Sequence, residues 1–201
     1  MVLNPGSANP AKKHYNNMTP RLLEKYRNEI TPEMMSRFGI KNKMAVPKID
    51  KIVINMGVGE ALQDIKILEK AMEELAIITG QRPIMRRAKK AIANFKIKEN
   101  NPIGCKVTLR RAMMYEFLDR LVNVALPRIR DFRGVRGDGF DKSGNFSVGL
   151  TEQGIFPEID FDRLTRTQGM DITFVIKNSK TKEQSKELLK LFGMPFKIEE
   201  R

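Results

Sequence analysis

Residues 49–58, IDKIVINMGV, and 105–111, CKVTLRR, decide the fold. In the first, Ile52, Ile54 and Met56 alternate with Val53 and Asn55, a period of two that predicts a strand with one apolar and one polar-leaning face. In the second, the same alternation puts Cys105, Val107 and Leu109 on one face and Lys106, Thr108 and Arg110 on the other. The apolar set fits a core; the polar set is a row of donors on a rigid support. If the two strands share a sheet, Asn55 joins that row.

Outward from these strands the period changes. Residues 64–79 have helical spacing, with Ile65, Leu68, Met72, Leu75 and Ile78 on one side and Gly80 as C-cap. Thr19-Pro20 and Thr31-Pro32 each read as a capping hydroxyl ahead of a first-turn proline, giving two short helices, the second ending near Gly39. A further helix over 113–125 stops at Pro127. Residues 133–145 are rich in Gly and charge and read as a long loop, followed by strands at 146–150 and 172–176. Thr181 and Gln184 form a capping box for a last helix that ends at Gly193.

Strands separated by helices, with some neighbours lacking a crossover helix, predict an α+β fold. Residues 1–17 are read as a flexible basic extension and 18–201 as one α+β RNA-binding domain. No run of apolar residues approaches the roughly 18 that span a bilayer, and the N-terminus has no apolar signal core, so no membrane association is expected and the location is cytoplasmic.

The chain carries 37 Lys and Arg against 24 Asp and Glu, a net +13, which attracts polyanions. The charge is unevenly placed. Between Arg82 and Arg111 ten cations face a single carboxylate, Glu99, so thirty residues hold +9 and the other 171 hold +4. A solvated surface usually intersperses both signs. Arg and Lys neutralise phosphates, and a Thr hydroxyl can bond a phosphate or a ribose 2′-OH. Within the segment, RRAKKAIANFKIK at 86–98 alternates cations with small and apolar residues and reads as a basic hairpin tip. Phe95 is read as a core or hairpin-packing residue, with base stacking as the alternative. DNA-binding helix motifs and single-strand RNA modules are missing, which leaves recognition of a folded RNA by shape and backbone.

Catalytic candidates are few, and no catalytic, cofactor or metal residue is assigned. His14 is the only histidine and lies in the tail; Cys105, the only cysteine, fits the buried strand face, where thiols are inert. The sequence lacks a phosphate-binding P-loop, and Gly57-Val58-Gly59 lacks the third glycine of a dinucleotide fingerprint. Glu152, Glu158, Asp160 and Asp162 read as a solvated or ion-paired strip beside Arg163 and Arg166 rather than a Mg²⁺ site. An RNA chaperone or translational regulator using the same surface is a second reading, and an RNA-acting enzyme a third.

KIVINMGVGEA, ITGQRP, NFKIKENNPIGCKVTLR, ALPRIRDFRGV, GNFSVGL, IFPEIDFD and GMDITFVI occur in order over about 19–197. Together they resemble the bacterial-type L-five family of large-subunit ribosomal proteins. The resemblance implies one α+β domain, with helices on one face of a curved, mostly antiparallel sheet and 5S rRNA on the other. By matching motif it implies 5S rRNA contacts at Asn55, Gln81, Thr108 and Arg110, to which the alternation above adds Lys106. The stretch RRAKKAIANFK resembles a loop that approaches P-site tRNA, implicating Arg86, Arg87, Lys89, Lys90 and Asn94. The Gly134–Asn145 loop resembles a surface that bridges to the S-thirteen family protein of the small-subunit head. A place in the central protuberance follows, with 23S rRNA and neighbouring large-subunit proteins as further partners.

Overall fold

A computed structural model describes residues 19–159 and 166–197. The N-terminal extension with His14, and the acidic-strip residues Asp160, Asp162 and Arg163, lie outside the described residues. The helices are α1 (Arg21–Lys25), α2 (Thr31–Phe38), α3 (Ile65–Thr79), α4 (Arg111–Arg120) and α5 (Lys182–Leu191). The strands are β1 (Lys48–Gly57), β2 (Ile84–Arg87), β3 (Pro102–Leu109), β4 (Phe146–Leu150) and β5 (Met170–Lys177). They form one open sheet in the order β2-β3-β1-β5-β4, with every neighbouring pair antiparallel. This is the expected α+β arrangement.

The two deciding stretches do share a sheet. Ile52, Ile54 and Met56 are fully buried, as are Cys105 and Leu109, with Val107 nearly so. Ile172, Phe174 and Phe146 extend this face across β5 and β4, and the Phe146 and Phe174 rings stack with centroids 6.1 Å apart. Helix α3 covers β3 and α4 packs against β1, burying Leu68, Leu75, Ile78, Phe117 and Leu118. Burying each such side chain contributes about 1.5–3 kcal/mol, so a single core holds all the helices to one side of the sheet.

Helix α3 begins at Asp64, whose carboxylate accepts from Lys66 N–H, and ends at Gly80 in the left-handed conformation. Its apolar stripe needs one correction: Ile65 is 46% exposed, and Ala71 takes part in the buried face instead. Within the first turn it is Ile67 and Leu68, not Ile65, that pack against the core.

The expected break at Thr31 is absent. Residues 21–38 run continuously, with a π-helical turn at Tyr26–Ile30 joining α1 to α2. The buried Thr31 hydroxyl donates to the Tyr26 carbonyl at 2.7 Å, five residues back, and caps nothing. Pro32 has no N–H to donate, and a local π turn accommodates such an interruption within a helix. Thr19 likewise makes no capping bond; Pro20 occupies the cap position. At α5 the Thr181 hydroxyl does accept from Gln184 N–H, at 3.4 Å, and the Gln184 side chain reaches back to Lys180 N–H at 2.9 Å.

Residues 133–145 carry no helix or regular strand, but they are anchored. Val135 N–H donates to Pro195 O (2.7 Å) and Lys197 N–H to Val135 O (2.9 Å). Phe140 is buried with its ring 4.6 Å from that of Phe146. Asp141 accepts from Ser143 N–H and Asn145 N–H, both at 2.8 Å, and these bonds, led by that from the Asn145 side chain, hold its carboxyl below the usual range.

Candidate nucleic-acid interface

The helices cover one side of the sheet; the other side carries the polar residues. Register sets its rows. Asn55 lies directly opposite Lys106 on one side and Asp171 on the other, and Lys106 in turn lies opposite Ile84 of β2. The next row runs Thr108, Val53, Thr173 and Ser147, where the hydroxyls of Thr173 and Ser147 are 3.0 Å apart. Adjacent antiparallel strands hold such opposite residues close enough to contact one ligand together.

Asn55 is exposed, while Lys106 and Thr108 are half-buried at their bases. Arg110 follows in extended conformation and is exposed, with its guanidinium 3.4 Å from the Asp50 carboxylate. A register shift between Ile49 and Lys51 places Asp50 at an irregularity of β1, where it also accepts from the Lys177 ammonium at 3.0 Å. The Lys177 bond, with smaller help from Arg110, holds the Asp50 carboxyl below its ordinary range. Asp50 therefore gathers two cations, one from the end of β3 and one from β5, onto one end of the polar face.

Gln81 is also here. It follows the Gly80 cap of α3, is exposed, and its side-chain amide donates to the Thr108 carbonyl at 3.3 Å. The structure thus brings Asn55, Gln81, Lys106, Thr108 and Arg110 onto one face and its margin. Alternation alone did not single out Lys51 and Lys177, although both share the polar face by strand parity. The signal was available for Lys51, two positions before Val53; for Lys177 it required the pairing of β5 with β1.

The second group is set apart from the first. Arg86 and Arg87 belong to β2, the short edge strand opposite β3, and the chain between β2 and β3 forms an arm. Its neck is closed by Ala88 N–H to Asn101 O and Asn100 N–H to Ala88 O, both 2.9 Å, and by Arg87 donating to Asn100 O at 3.0 Å. Lys89, Lys90 and Asn94 are exposed beyond the neck. Near the tip, Ile92 and Ile97 exchange backbone bonds of 2.9 and 3.1 Å around a tight turn at Ala93–Phe95. Phe95 does not pack into a core: it is 67% exposed.

Nothing in the described residues is arranged as catalytic machinery. Cys105 is fully buried, and desolvation pushes its thiol up to about 11, which suppresses the reactive thiolate. Glu158 pairs with Arg120, which also donates to the Ile78 carbonyl at 3.0 Å. Arg166 pairs with Glu60. No helix among the described residues is long and apolar enough to cross a membrane.

Two family models match consecutive parts of the chain: "Ribosomal protein L5" over residues 42–98 and "ribosomal L5P family C-terminus" over 102–196. The chain belongs to the ribosomal protein L5 family. Among similar proteins, the large ribosomal subunit protein uL5 of Clostridium tetani is 59% identical over 179 residues, which are 89% of this chain and 99% of that protein. The uL5 proteins of Clostridium kluyveri and Clostridium acetobutylicum are 59% and 57% identical over 179 residues, again 89% of this chain, and 98% and 99% of their own lengths. As an L5 family member the chain is a structural ribosomal protein, not an enzyme, and a component of the large subunit of the cytoplasmic ribosome. Among the described residues, the polar sheet face and the arm are two separate groups of cations.

Proposed function

We propose that the polar face of the sheet binds 5S rRNA, through Asn55, Gln81, Lys106, Thr108 and Arg110, in the central protuberance of the large subunit. The observation that carries this reading is the register of β1 and β3, which sets Asn55 opposite Lys106 with Thr108 and Arg110 beyond, on the side free of helices. Lys106 and Arg110 neutralise phosphates, while Asn55, Gln81 and Thr108 supply neutral donors that can address ribose and backbone oxygens. The rigid sheet fixes their spacing in advance.

The arm carries a second contact in this reading. Arg86, Arg87, Lys89, Lys90 and Asn94 approach P-site tRNA, and the anchored loop Gly134–Asn145 faces the S-thirteen family protein of the small-subunit head. 23S rRNA and neighbouring large-subunit proteins complete the surroundings.

The test is a filter-binding titration of isolated 5S rRNA at several salt concentrations with wild type, Lys106→Ala and Arg110→Ala. Each substitution removes one cation from a phosphate, so each weakens binding and flattens the salt dependence by a slope of roughly 0.7 to 0.9. Affinities equal to wild type for both variants overturn the assignment of this face.

A further inference from the structure

The tip of the arm is built to present an aromatic ring. Its backbone is satisfied internally: Ile92 and Ile97 pair, Phe95 N–H donates to Ile92 O at 3.3 Å, and Lys96 N–H donates to Ala93 O at 3.0 Å. Lys96 closes the turn with φ +54°, a left-handed conformation that is strained for a residue with a side chain. What this turn holds outward is Phe95, 67% exposed, with Ile92 at 45%. An arm that attracted RNA by charge alone would need neither apolar side chain at its end.

The surroundings identify the occupant. Between residues 86 and 98 stand Arg86, Arg87, Lys89, Lys90, Lys96 and Lys98, with no carboxylate among them. A protein partner would have to answer six cations with acidic groups, whereas a folded RNA supplies phosphates and flat, apolar base faces within a few ångströms of one another. An aromatic ring flanked by cations is the usual pairing for that combination. We propose that Phe95 stacks on an accessible nucleobase of the RNA that the arm reaches, while the flanking lysines hold its phosphates. The proposal rests on the reading that this RNA is P-site tRNA.

The experiment uses ribosomes carrying Phe95→Ala, Phe95→Leu, Phe95→Tyr or the double variant Lys89→Ala/Lys90→Ala, and measures dissociation of deacylated tRNA from the P site at several salt concentrations. Phe95→Ala is expected to speed release by roughly fivefold, the lower end for one stacked base, with the salt slope unchanged. Phe95→Leu behaves like Phe95→Ala, and Phe95→Tyr like wild type. The lysine variant speeds release and flattens the salt slope. Because Phe95 is outside the core, the content of the chain in each ribosome preparation is expected to match wild type, and this is quantified alongside.

Wild-type release from Phe95→Ala or Phe95→Leu ribosomes overturns the stacking. If the lysine variant still speeds release in that case, the tRNA reading survives and only the proposal falls; if neither variant has an effect, both fall. A fall in the amount of chain per ribosome, with tRNA release unaltered, would point to a protein at the tip and likewise overturn the proposal.

Discussion

The side-chain amide of Gln81 donates to the backbone carbonyl of Thr108 at 3.3 Å, tying the turn after α3 to the edge of β3. Gln81 thereby stands beside the polar row of the sheet although 27 residues separate it from Thr108 in the chain. A neutral, exposed hydrogen bond contributes about 0.5–1.5 kcal/mol at most. Gln81→Ala and Thr108→Ala are therefore expected to leave thermal stability within about 1 kcal/mol of wild type and yet to weaken 5S rRNA binding in a gel shift. Unfolding that tracks the weakened binding in both variants would show a structural role alone.

Asp50 links stability to pH. Its carboxyl is held below the ordinary range by the Lys177 bond, so the folded state releases this proton more readily than the unfolded chain. The stabilisation is present above the unfolded value, near 4, and disappears as pH falls through the folded one. Urea denaturation of Asp50→Asn between about pH 5 and pH 3 should give a flatter stability profile than wild type. Parallel profiles contradict the ion-pair account.

The arm and the sheet face should separate in function. Lys89→Glu with Lys90→Glu reverses two exposed charges beyond the neck, leaving Arg87 and its bond to Asn100 in place. Binding of isolated 5S rRNA is expected to be nearly unaffected, while in vitro translation by ribosomes containing the variant declines. A drop in 5S binding comparable to that of Arg110→Ala would merge the two surfaces into one.

Cys105 reports on folding. With its thiol buried and pushed up to about 11, alkylation of the native protein at pH 8 should be negligible and should become rapid in denaturant. Rapid labelling of the native chain would mean that β3 opens readily.

Much of this was legible in the sequence where a strict period runs long enough. The alternation in β1 and β3 and the 3.6-residue stripe of α3 each follow from one face being buried, so composition and position agree. β2 was less visible: it has four residues, none of them buried, at an edge where no alternation is enforced. Thr31-Pro32 misled because its local signal for a helix start is overridden by the packing of Ile30, Thr31 and Met34, all buried, which keeps the helix continuous. Gln81 could not be placed from local pattern at all, because its position depends on how α3 lands against β3. Phe95 went the other way: a large apolar side chain is ordinarily a packing residue, and only the closed turn beneath it shows that nothing covers it.

β3 carries Lys106 and Thr108 within the sheet and, a few residues earlier, receives the returning limb of the arm through Pro102 opposite Arg87. The arm thus leaves the sheet from the same pair of strands that bears part of the sheet contacts, its neck closed by the bonds of Ala88 to Asn100 and Asn101. In the proposed assembly this joins two nucleic acids through one pair of strands. A tRNA that moves at one end must either break its grip or pull on 5S rRNA at the other.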